Sequence, residues 1–270
     1  MPIGIIGGTG LYAPDMLSNV YETAVKTAFG NVDVKVGTYA GKEVVFICRH
    51  GFNHSVPPHM INYRANIAAL KLLGVTRVVT TSAVGTLNET MPPGSLILLD
   101  QFIDFTSGRE STFFTGGEAG VIHLDYTNPY CNDLKGYILR AADEIGMNII
   151  SKGCYICTQG PRFETAAEIR MMRMMGADVV GMTNVPEVVL AKEAEMCYSS
   201  IAMATNWAAG MTNQQLTHEE VVDFMSNNLS NFKKLILKTV EIIDETKTSC
   251  NCQTCLDSMK EKGKGFIKFI

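Results

Sequence analysis

Short apolar runs alternate with amphipathic stretches along most of the chain. Runs rich in Val and Ile predict buried strands, and apolar residues at helical spacing predict helices between them. The predicted strands cover about 3–10, 32–39, 42–48, 75–81, 96–105, 152–159, 179–180 and 199–205. The predicted helices cover about 62–73, 134–146, 188–196 and 217–244, and a further helix begins at Thr165. This alternation indicates one α/β domain in the 270 residues.

No internal repeat or interdomain linker interrupts this pattern. We therefore predict a single domain over 1–248 and a Cys- and Lys-containing C-terminal tail over 249–270. The long Gly-, Ser- and Thr-rich stretch 106–130 is predicted to be a loop, and loops of this length are typical of lids or subunit contacts. The helix predicted over 188–196 has an amphipathic pattern.

Charge and terminal composition restrict the function classes. The net charge is −4 and the isoelectric point is near 5.8, so no basic surface for a nucleic acid backbone is expected. The N-terminus has no basic segment followed by an apolar signal core, and no apolar run is long enough to cross a bilayer. We expect a cytoplasmic protein without a membrane partner.

Seven of the eight cysteines fall into two groups. Cys48, Cys154, Cys157 and Cys197 lie in apolar surroundings, where a thiol usually serves as a small core hydrophobe. Cys250, Cys252 and Cys255 are close together in a polar segment. They could bind a metal, form a disulfide or remain reduced, and a cytosolic setting favours the reduced state.

Small and cationic residues follow three of the predicted strands. Thr9 lies in a Gly-Gly-Thr-Gly turn, Arg49 and His50 follow the strand 42–48, and Ser82 and Ala83 follow the strand 75–81. Glycine turns, guanidinium groups and hydroxyls are suited to binding an anion. A plain strand end at Thr9 and a surface salt bridge at Arg49 are the structural alternatives.

The turn after the strand 179–180 is a candidate ligand site. In open α/β sheets, ligands bind outside the carboxyl ends of strands, so Met182, Thr183 and Asn184 could meet a small polar molecule. A helix N-terminus with Pro186 in its first turn is the alternative.

Glu164 is not needed to cap the helix that begins at Thr165, so it is available for another contact. Thr165 and Glu168 have the spacing of a capping box, so the helix that begins there has its own cap. We expect Phe163 to stack on a flat ring and Glu164 to accept a hydrogen bond.

These motifs together resemble the trimeric-type nucleoside phosphorylases, the group of methylthioadenosine and 6-oxopurine nucleoside phosphorylases. The resemblance rests on several ordered motifs and covers the chain up to the Cys-containing tail. The motifs are GGTG at 7–10, Arg49-His50-Gly51, Pro57-Pro58-His59, Asn62-Tyr-Arg-Ala-Asn66, Ser82-Ala83, GPRFET at 160–165 and GMTNVPEVVLAKEAEM at 181–196. It implies a single-domain phosphorylase fold, a twisted mixed sheet surrounded by helices, assembled as a homotrimer or a dimer of trimers.

The resemblance also implies roles for individual residues. The implied phosphate-binding residues are Thr9, Arg49, His50, Ser82, Ala83 and Thr183. Met182 would lie against the ribose and Phe163 against the base, and His123 would reach the active site of a neighbouring subunit. Inorganic phosphate is the implied co-substrate, and no metal or organic cofactor is expected.

Four positions depart from the methylthioadenosine branch, which has Ser at 164, two acids at 206 and 208, and an apolar residue at 218. This chain has Glu164, Asn206, Ala208 and His218. A 6-oxopurine has a proton on N1 and acceptors at O6 and N7, which suit a carboxylate and an amide donor. We therefore predict inosine and guanosine as substrates, with Glu164 at N1–H, Asn206 at N7 and His218 at the ribose 5′-hydroxyl.

Asn206, Glu164 and His50 form the predicted catalytic set. Methylthioinosine or methylthioadenosine phosphorylase is the alternative within the family, and a solvent-exposed first-turn residue is the alternative for His218. A nucleotide-binding oxidoreductase would explain the glycine turn but lacks a second phosphate-binding glycine pattern and an acidic residue at the next strand end. A noncatalytic nucleoside binder would leave the conjunction of Arg49, Thr183 and Asn206 unexplained.

Overall fold

A computed structural model describes residues 1–8, 17–51, 55–212, 217–246, 249–261 and 267, with the side chains of 118, 218–220, 226 and 227 outside the description. The strands are β1 (Ile3–Gly7), β2 (Ser18–Thr27), β3 (Gly30–Tyr39), β4 (Lys42–Cys48), β5 (Arg77–Thr86), β6 (Leu96–Leu98), β7 (Gln101–Phe105), β8 (Cys154–Thr158), β9 (Val179–Gly181) and β10 (Cys197–Trp207). The helices are α1 (Tyr63–Leu72), α2 (Asn132–Glu144), α3 (Ala166–Met174), α4 (Asn184–Glu193), α5 (His218–Ile242) and α6 (Asp257–Lys260). Short 3-10 helices cover Pro58–Met60, Gly117–Ala119 and Cys252–Thr254.

The strands form one mixed sheet in the order β2-β3-β4-β1-β5-β9-β8-β7, and β10 pairs with both β5 and β6. Pairing is parallel along β4-β1-β5-β10 and along β7-β8-β9, and antiparallel along β2-β3-β4. Helices α1 and α4 pack their apolar residues on one side of the sheet, and α2 and α5 pack on the other. The predicted single-domain α/β fold with a mixed sheet and surrounding helices is confirmed.

The parallel strands set the position of the site. Gly7 at the end of β1 is in register with Cys48 at the end of β4, and Ser82 of β5 is in register with Ala202 of β10. The carboxyl ends of these strands therefore meet at one edge of the sheet. Residues far apart in sequence, such as Arg49 and Asn206, are brought to that edge by strand register alone.

The structure differs from the predicted strands in three main places. Strand β5 continues to Thr86, so Ser82 and Ala83 lie within it and do not follow it. Strand β2 was missed because almost all of its residues are exposed, so no apolar run marks it. The strand predicted over 96–105 is two strands with different partners. β6 runs antiparallel to β10, whereas β7 runs parallel to β8, and the chain changes partner at Leu99 and Asp100.

The prediction of an amphipathic helix over 188–196 was also wrong. Helix α4 begins at Asn184, and most of its residues are buried, including Glu187 with no exposed surface and Glu193 at 7%. Its acidic side chains can be buried because they have partners inside the protein. The sequence pattern does not reveal those partners.

The C-terminal segment packs against the rest of the chain. Leu256 is buried, and Lys260 forms an ion pair with Glu195 at 2.6 Å, just after α4. The boundary at 248/249 remains a prediction. Among the described residues, no helix is both long and apolar enough to cross a membrane.

Candidate active site

A cavity of about 400 Å³ opens at the sheet edge where the parallel strands end. Nine residues singled out from the sequence line it, on five different elements or their flanking loops. They are Arg49, His50, Ser82, Ala83, Phe163, Glu164, Met182, Thr183 and Asn206. Their convergence on one cavity follows from the sheet topology, and the roles given to them above remain predictions.

Three other predicted residues are not among the described residues that line the cavity. Thr9 lies outside the described residues, although Gly8 before it lines the cavity. His218 is the first residue of α5 as predicted, and its side chain is outside the description, whereas Val221 one turn later lines the cavity. His123 lies in the long loop, is exposed, and is not part of the lining in its own chain.

Arg49 reaches the cavity from a fully buried position. Its Nε and Nη2 donate to the two carboxylate oxygens of Glu187, each at 2.7 Å, and its Nη1 donates to the carbonyl of Thr81 at 2.8 Å. Burial alone would lower the pKa of Arg49, but the charge and hydrogen bonds of Glu187 outweigh burial and raise it. A permanent positive charge is thus held in a fixed orientation at the cavity wall.

Gly8 allows the guanidinium to lie against the end of β1. A Cβ at this position would be 2.7 Å from the Thr81 carbonyl oxygen and 2.9 Å from Nη1 of Arg49. The Gly8 N–H also donates to the Thr81 hydroxyl at 3.0 Å. The glycine turn therefore serves close packing of strand ends around the cation, as well as any contact that its N–H groups make with a ligand.

A buried hydrogen-bond network supports the Arg49–Glu187 pair. The Tyr198 hydroxyl donates to Glu187 at 2.8 Å and accepts from Thr80 at 3.0 Å. Asn184, which the sequence placed in the ligand-binding turn, is fully buried and belongs to this network through Tyr130 and Tyr198. Its proposed contact with a ligand was wrong because its amide is already bonded behind the cavity wall.

Two hydroxyls contribute to the polar lining of the cavity. Ser82 Oγ is buried and has no hydrogen-bond partner among the residues that the structure describes, and Ser82 lines the cavity. Thr183 is the N-cap residue of α4 but its side chain makes no cap hydrogen bond. Arg49, whose charge is paired with Glu187, and these hydroxyls provide hydrogen-bond donors that suit an oxyanion.

His50 is oriented by a backbone contact. Its Nδ1 lies 2.9 Å from the carbonyl oxygen of Val56, and since a carbonyl only accepts, Nδ1 carries the hydrogen. The ring is 5% exposed and lines the cavity beside Arg49. A fixed imidazole next to an anion site can contribute both a hydrogen bond and electrostatic stabilisation.

Glu164 lies at the other end of the cavity. Thr165 and Glu168 form the predicted capping box of α3, and this prediction is confirmed. Glu164 instead accepts a hydrogen bond from the Thr158 hydroxyl at 2.7 Å. Burial raises the pKa of Glu164, and the Thr158 hydrogen bond acts in the opposite direction.

The side-chain amide of Asn206 has an orientation fixed by its neighbours. Its Oδ1 accepts from the Thr205 hydroxyl at 2.7 Å, and its Nδ2 donates to the Trp207 carbonyl at 2.9 Å. The carbonyl can only accept, so the amide nitrogen is assigned without ambiguity. One N–H of Asn206 is used in this contact, and the second remains for a ligand acceptor.

Several supporting residues were not singled out from the sequence. Glu187 and Tyr198 orient Arg49, and Thr158 and Thr205 orient Glu164 and Asn206. The sequence did contain one indication of such a residue. An arginine at the end of a buried strand requires a counter-charge, so an acidic partner could have been expected. Which acid supplies it depends on the tertiary packing of α4.

Comparisons with known proteins agree with this architecture. Residues 2–241 match the family model described as the phosphorylase superfamily. A probable 6-oxopurine nucleoside phosphorylase of Dictyoglomus turgidum is 49% identical over 97% of this chain and 99% of its own length. The 6-oxopurine nucleoside phosphorylase of Pyrococcus furiosus is 48% identical over 94% and 97%.

Other similar proteins have names from the methylthio branch. An S-methyl-5'-thioadenosine phosphorylase of Thermofilum pendens is 46% identical over 94% of this chain and 97% of its own length. Among solved structures, methylthioadenosine phosphorylase from Schistosoma mansoni in complex with adenine has a TM-score of 0.91 at 30% identity and covers 98% of this chain and 99% of its own.

Proposed function

This chain belongs to the phosphorylase superfamily, and from that premise we propose that it is a purine nucleoside phosphorylase for 6-oxopurine nucleosides, inosine and guanosine. It would use inorganic phosphate to cleave the N-glycosidic bond and release the free base and ribose 1-phosphate. The observation that carries the proposal is the pair of base-reading groups in one cavity, a carboxylate at Glu164 and an oriented amide at Asn206.

The two groups match a 6-oxopurine and mismatch adenine. A carboxylate at Glu164 accepts the N1–H of hypoxanthine or guanine, and the remaining N–H of Asn206 donates to N7. Adenine has no proton on N1, so the carboxylate would face a lone pair. Leaving a buried polar group unpaired costs about 1–3 kcal/mol, which is enough to set a preference of about tenfold or more.

The opposite end of the cavity would hold the nucleophile. Arg49, Ser82 and Thr183 bind phosphate, and the hydroxyl of Ser82, which has no partner among the described residues, gains an acceptor. His50 contributes a further contact in the orientation set by Val56. Inorganic phosphate is the co-substrate, and the scheme uses no metal or organic cofactor.

The reaction separates charge across the cavity. As the bond between C1′ and N9 breaks, its electron pair moves to the purine and positive charge develops on the ribose. A phosphate oxygen then forms the new bond to C1′, and the anion itself stabilises the cationic sugar. Asn206 stabilises the charge that reaches N7, where a donor has its largest effect in the transition state.

A 5′-methylthioinosine phosphorylase is the second candidate, and Val221 favours it. This apolar side chain from the first helical turns of α5 lines the cavity, and it could contact a methylthio group. A probable S-methyl-5'-thioinosine phosphorylase of Thermodesulfovibrio yellowstonii is 42% identical to this chain. His218, one turn earlier on the same helix, favours a hydroxyl instead.

Phosphate-dependent cleavage measured with five nucleosides tests the proposal. Inosine, guanosine, adenosine, methylthioinosine and methylthioadenosine are compared by kcat/KM, and inosine and guanosine are expected to be the best substrates. A preference for methylthioinosine would retain the roles of Glu164 and Asn206 and reject that of His218. A preference for methylthioadenosine would reject the base-reading argument, and His218→Val then shows whether the 5′ position is read at all.

We also propose that the enzyme is a homotrimer or a dimer of trimers. Its support is the long loop that contains His123, a residue exposed and outside the cavity of its own chain. In an oligomer that brings this loop to a neighbour's cavity, each site would be completed by a second subunit.

A further inference from the structure

Four cysteine sulfurs meet where the C-terminal segment packs against the domain. They belong to Cys131, Cys197, Cys250 and Cys252, and all four Sγ atoms lie within 4.8 Å of one another. The sulfurs of Cys197 and Cys250 are 3.4 Å apart. Cys255, which the sequence groups with Cys250 and Cys252, is not part of this set and donates instead to the Lys192 carbonyl.

The thiol cluster, as we call Cys131, Cys197, Cys250 and Cys252, is remote from the active site. Cys197 begins β10 and Asn206 lies near its other end, so the nine-residue separation along an extended strand is about 30 Å. The proposed phosphorolysis therefore gives the cluster no role. Its convergence calls for a separate explanation.

The spacing of the sulfurs fits a single tetrahedral ion. Zinc bound by four thiolates has Zn–S distances of about 2.3 Å, which place the sulfurs about 3.8 Å apart. A disulfide has its sulfurs about 2.05 Å apart and joins only two of them. The 3.4 Å separation and the mutual proximity of all four thiols match the tetrahedral arrangement better.

The surroundings favour thiolates and provide access. Cys131 is the N-cap of the thirteen-residue helix α2, and its Sγ accepts the backbone N–H of Leu134 at 3.4 Å. Such a contact stabilises a thiolate and orients it for a metal. A cavity of about 350 Å³ reaches Cys131, Cys250 and Cys252 and gives an ion a route from solvent.

We propose that Cys131, Cys197, Cys250 and Cys252 bind one structural zinc ion that fastens the C-terminal segment to the domain. Each thiol loses its proton when it binds, so loading Zn²⁺ releases up to four protons and leaves a centre of net charge −2. All four positions are occupied by protein, so the site is structural and not catalytic. This departs from the expectation of a metal-free chain in which Cys197 is only a core hydrophobe.

Metal content of the full-length chain tests the proposal. The protein is purified under reducing conditions without chelator, and its zinc content is measured by inductively coupled plasma mass spectrometry. Cobalt(II) is then titrated into the reduced, metal-free chain, because four thiolates around cobalt give charge-transfer and visible bands typical of tetrahedral sulfur ligation. Cys250→Ser and Cys252→Ser remove ligands, and Cys255→Ser is the matched control from the same segment.

About one zinc per chain is expected in the unchanged protein and in Cys255→Ser, and much less in the two ligand variants. Chelation should lower the Tm of the unchanged protein and of Cys255→Ser only, while kcat/KM at lower temperature stays the same. If the ligand variants do not fold, the cobalt spectrum of the unchanged chain still decides. A reduced chain that binds neither zinc nor cobalt, or paired disulfides without metal, would overturn the proposal.

Discussion

Glu164 shows how one side chain can link base recognition to pH. Its carboxyl is half-buried, and burial raises its pKa above the ordinary range of about 4.3 for glutamate. The ionised form accepts the N1–H of a 6-oxopurine in a charge-assisted hydrogen bond, which is stronger than the bond to a protonated carboxyl. Substrate recognition is therefore weakened as pH falls through the raised pKa of Glu164, at a higher pH than an exposed carboxylate would require.

Thr158→Val isolates this effect. The hydroxyl of Thr158 donates to Glu164 and opposes the upward shift of its pKa, so removing it should raise the pKa further. We expect the acidic limb of kcat/KM for inosine to move to higher pH in Thr158→Val. Phosphate also titrates in this range, but it is identical in both enzymes, so the difference between the two profiles reports Glu164. Superimposable acidic limbs would contradict the assignment.

Replacing the carboxylate tests base specificity directly. Glu164→Gln removes the charge from the proposed N1–H contact, and hydrogen bonds to charged groups contribute about 1.5–3 kcal/mol. We expect kcat/KM for inosine and guanosine to fall roughly 10- to 100-fold, while adenosine cleavage is unchanged or improves.

Glu168→Gln is the matched control for that substitution. It lies four residues away in the same loop and helix start, and glutamine can keep the capping box with Thr165. Its kinetics should be close to those of the unchanged enzyme. If kcat/KM fell equally in Glu164→Gln and Glu168→Gln, the effect would be due to a change in α3 and not to lost contact with the base.

At the scale of elements, β4 and α4 are joined through one buried ion pair. Arg49 follows β4, Glu187 lies in α4, and both side chains are 0% exposed. Removing one partner of a buried pair leaves an uncompensated charge and costs about 3–5 kcal/mol. Because Glu187 also fixes the guanidinium at the cavity, the same change should weaken phosphate binding.

We expect Glu187→Gln to lower the free energy of unfolding by up to about 3–5 kcal/mol and to raise the KM for phosphate more than the KM for the nucleoside. Urea unfolding and initial rates at varied phosphate measure the two effects. Glu89→Gln is the control, since Glu89 pairs with Arg173 at the surface and should change stability by less than about 0.5 kcal/mol. If the KM for phosphate were unchanged in Glu187→Gln, the ion pair would not contribute to phosphate binding.

The same elements show what the sequence could and could not predict. Apolar runs located β4 with its observed bounds, and β1 and β10 with bounds that differ by a few residues, because these strands are mostly buried on both faces. Strand β2 is exposed and has no such run, so only its pairing with β3 defines it. The burial of Glu187 was missed for a related reason, since a charged residue is assigned to the surface unless its partner is known.

The candidate site follows the same division. Arg49, Thr183, Glu164 and Asn206 each lie at a strand end or beside a helix cap, where local patterns are informative, whereas Ser82 lies within β5. The groups that orient them come from elsewhere in the chain. Arg49 and Glu187 are separated by 138 positions, and no local pattern relates residues so far apart.

At the scale of the whole molecule, the cavity is assembled from the carboxyl ends of parallel strands and from the start of α5. Its proposed phosphate and base sites are formed by described residues of one chain, whereas His123 lies outside the lining. The proposed oligomer accounts for that position. If the long loop completes a neighbouring site, one chain contributes Asn206 and another contributes His123 to the same cavity.

Mixed oligomers of two chains with lowered activity test this arrangement. His123→Ala and Asn206→Ala are each expected to lower kcat/KM for inosine by about tenfold or more, as loss of a contact worth about 1.4 kcal/mol would. When the two variants are co-expressed, a cavity with Asn206 from the first chain can receive His123 from the second. In a cyclic trimer with random mixing, about a quarter of the sites would be intact, and activity should rise above that of either variant.

The control mixes chains after purification, without subunit exchange, and should show only the average of the two variants. Light scattering coupled to size-exclusion chromatography establishes the assembly in each sample. Recovery in the co-expressed sample alone would require that His123 act across a subunit interface, because neither chain has both residues. Absence of recovery in a verified mixed oligomer would instead place His123 in its own chain's function or outside catalysis.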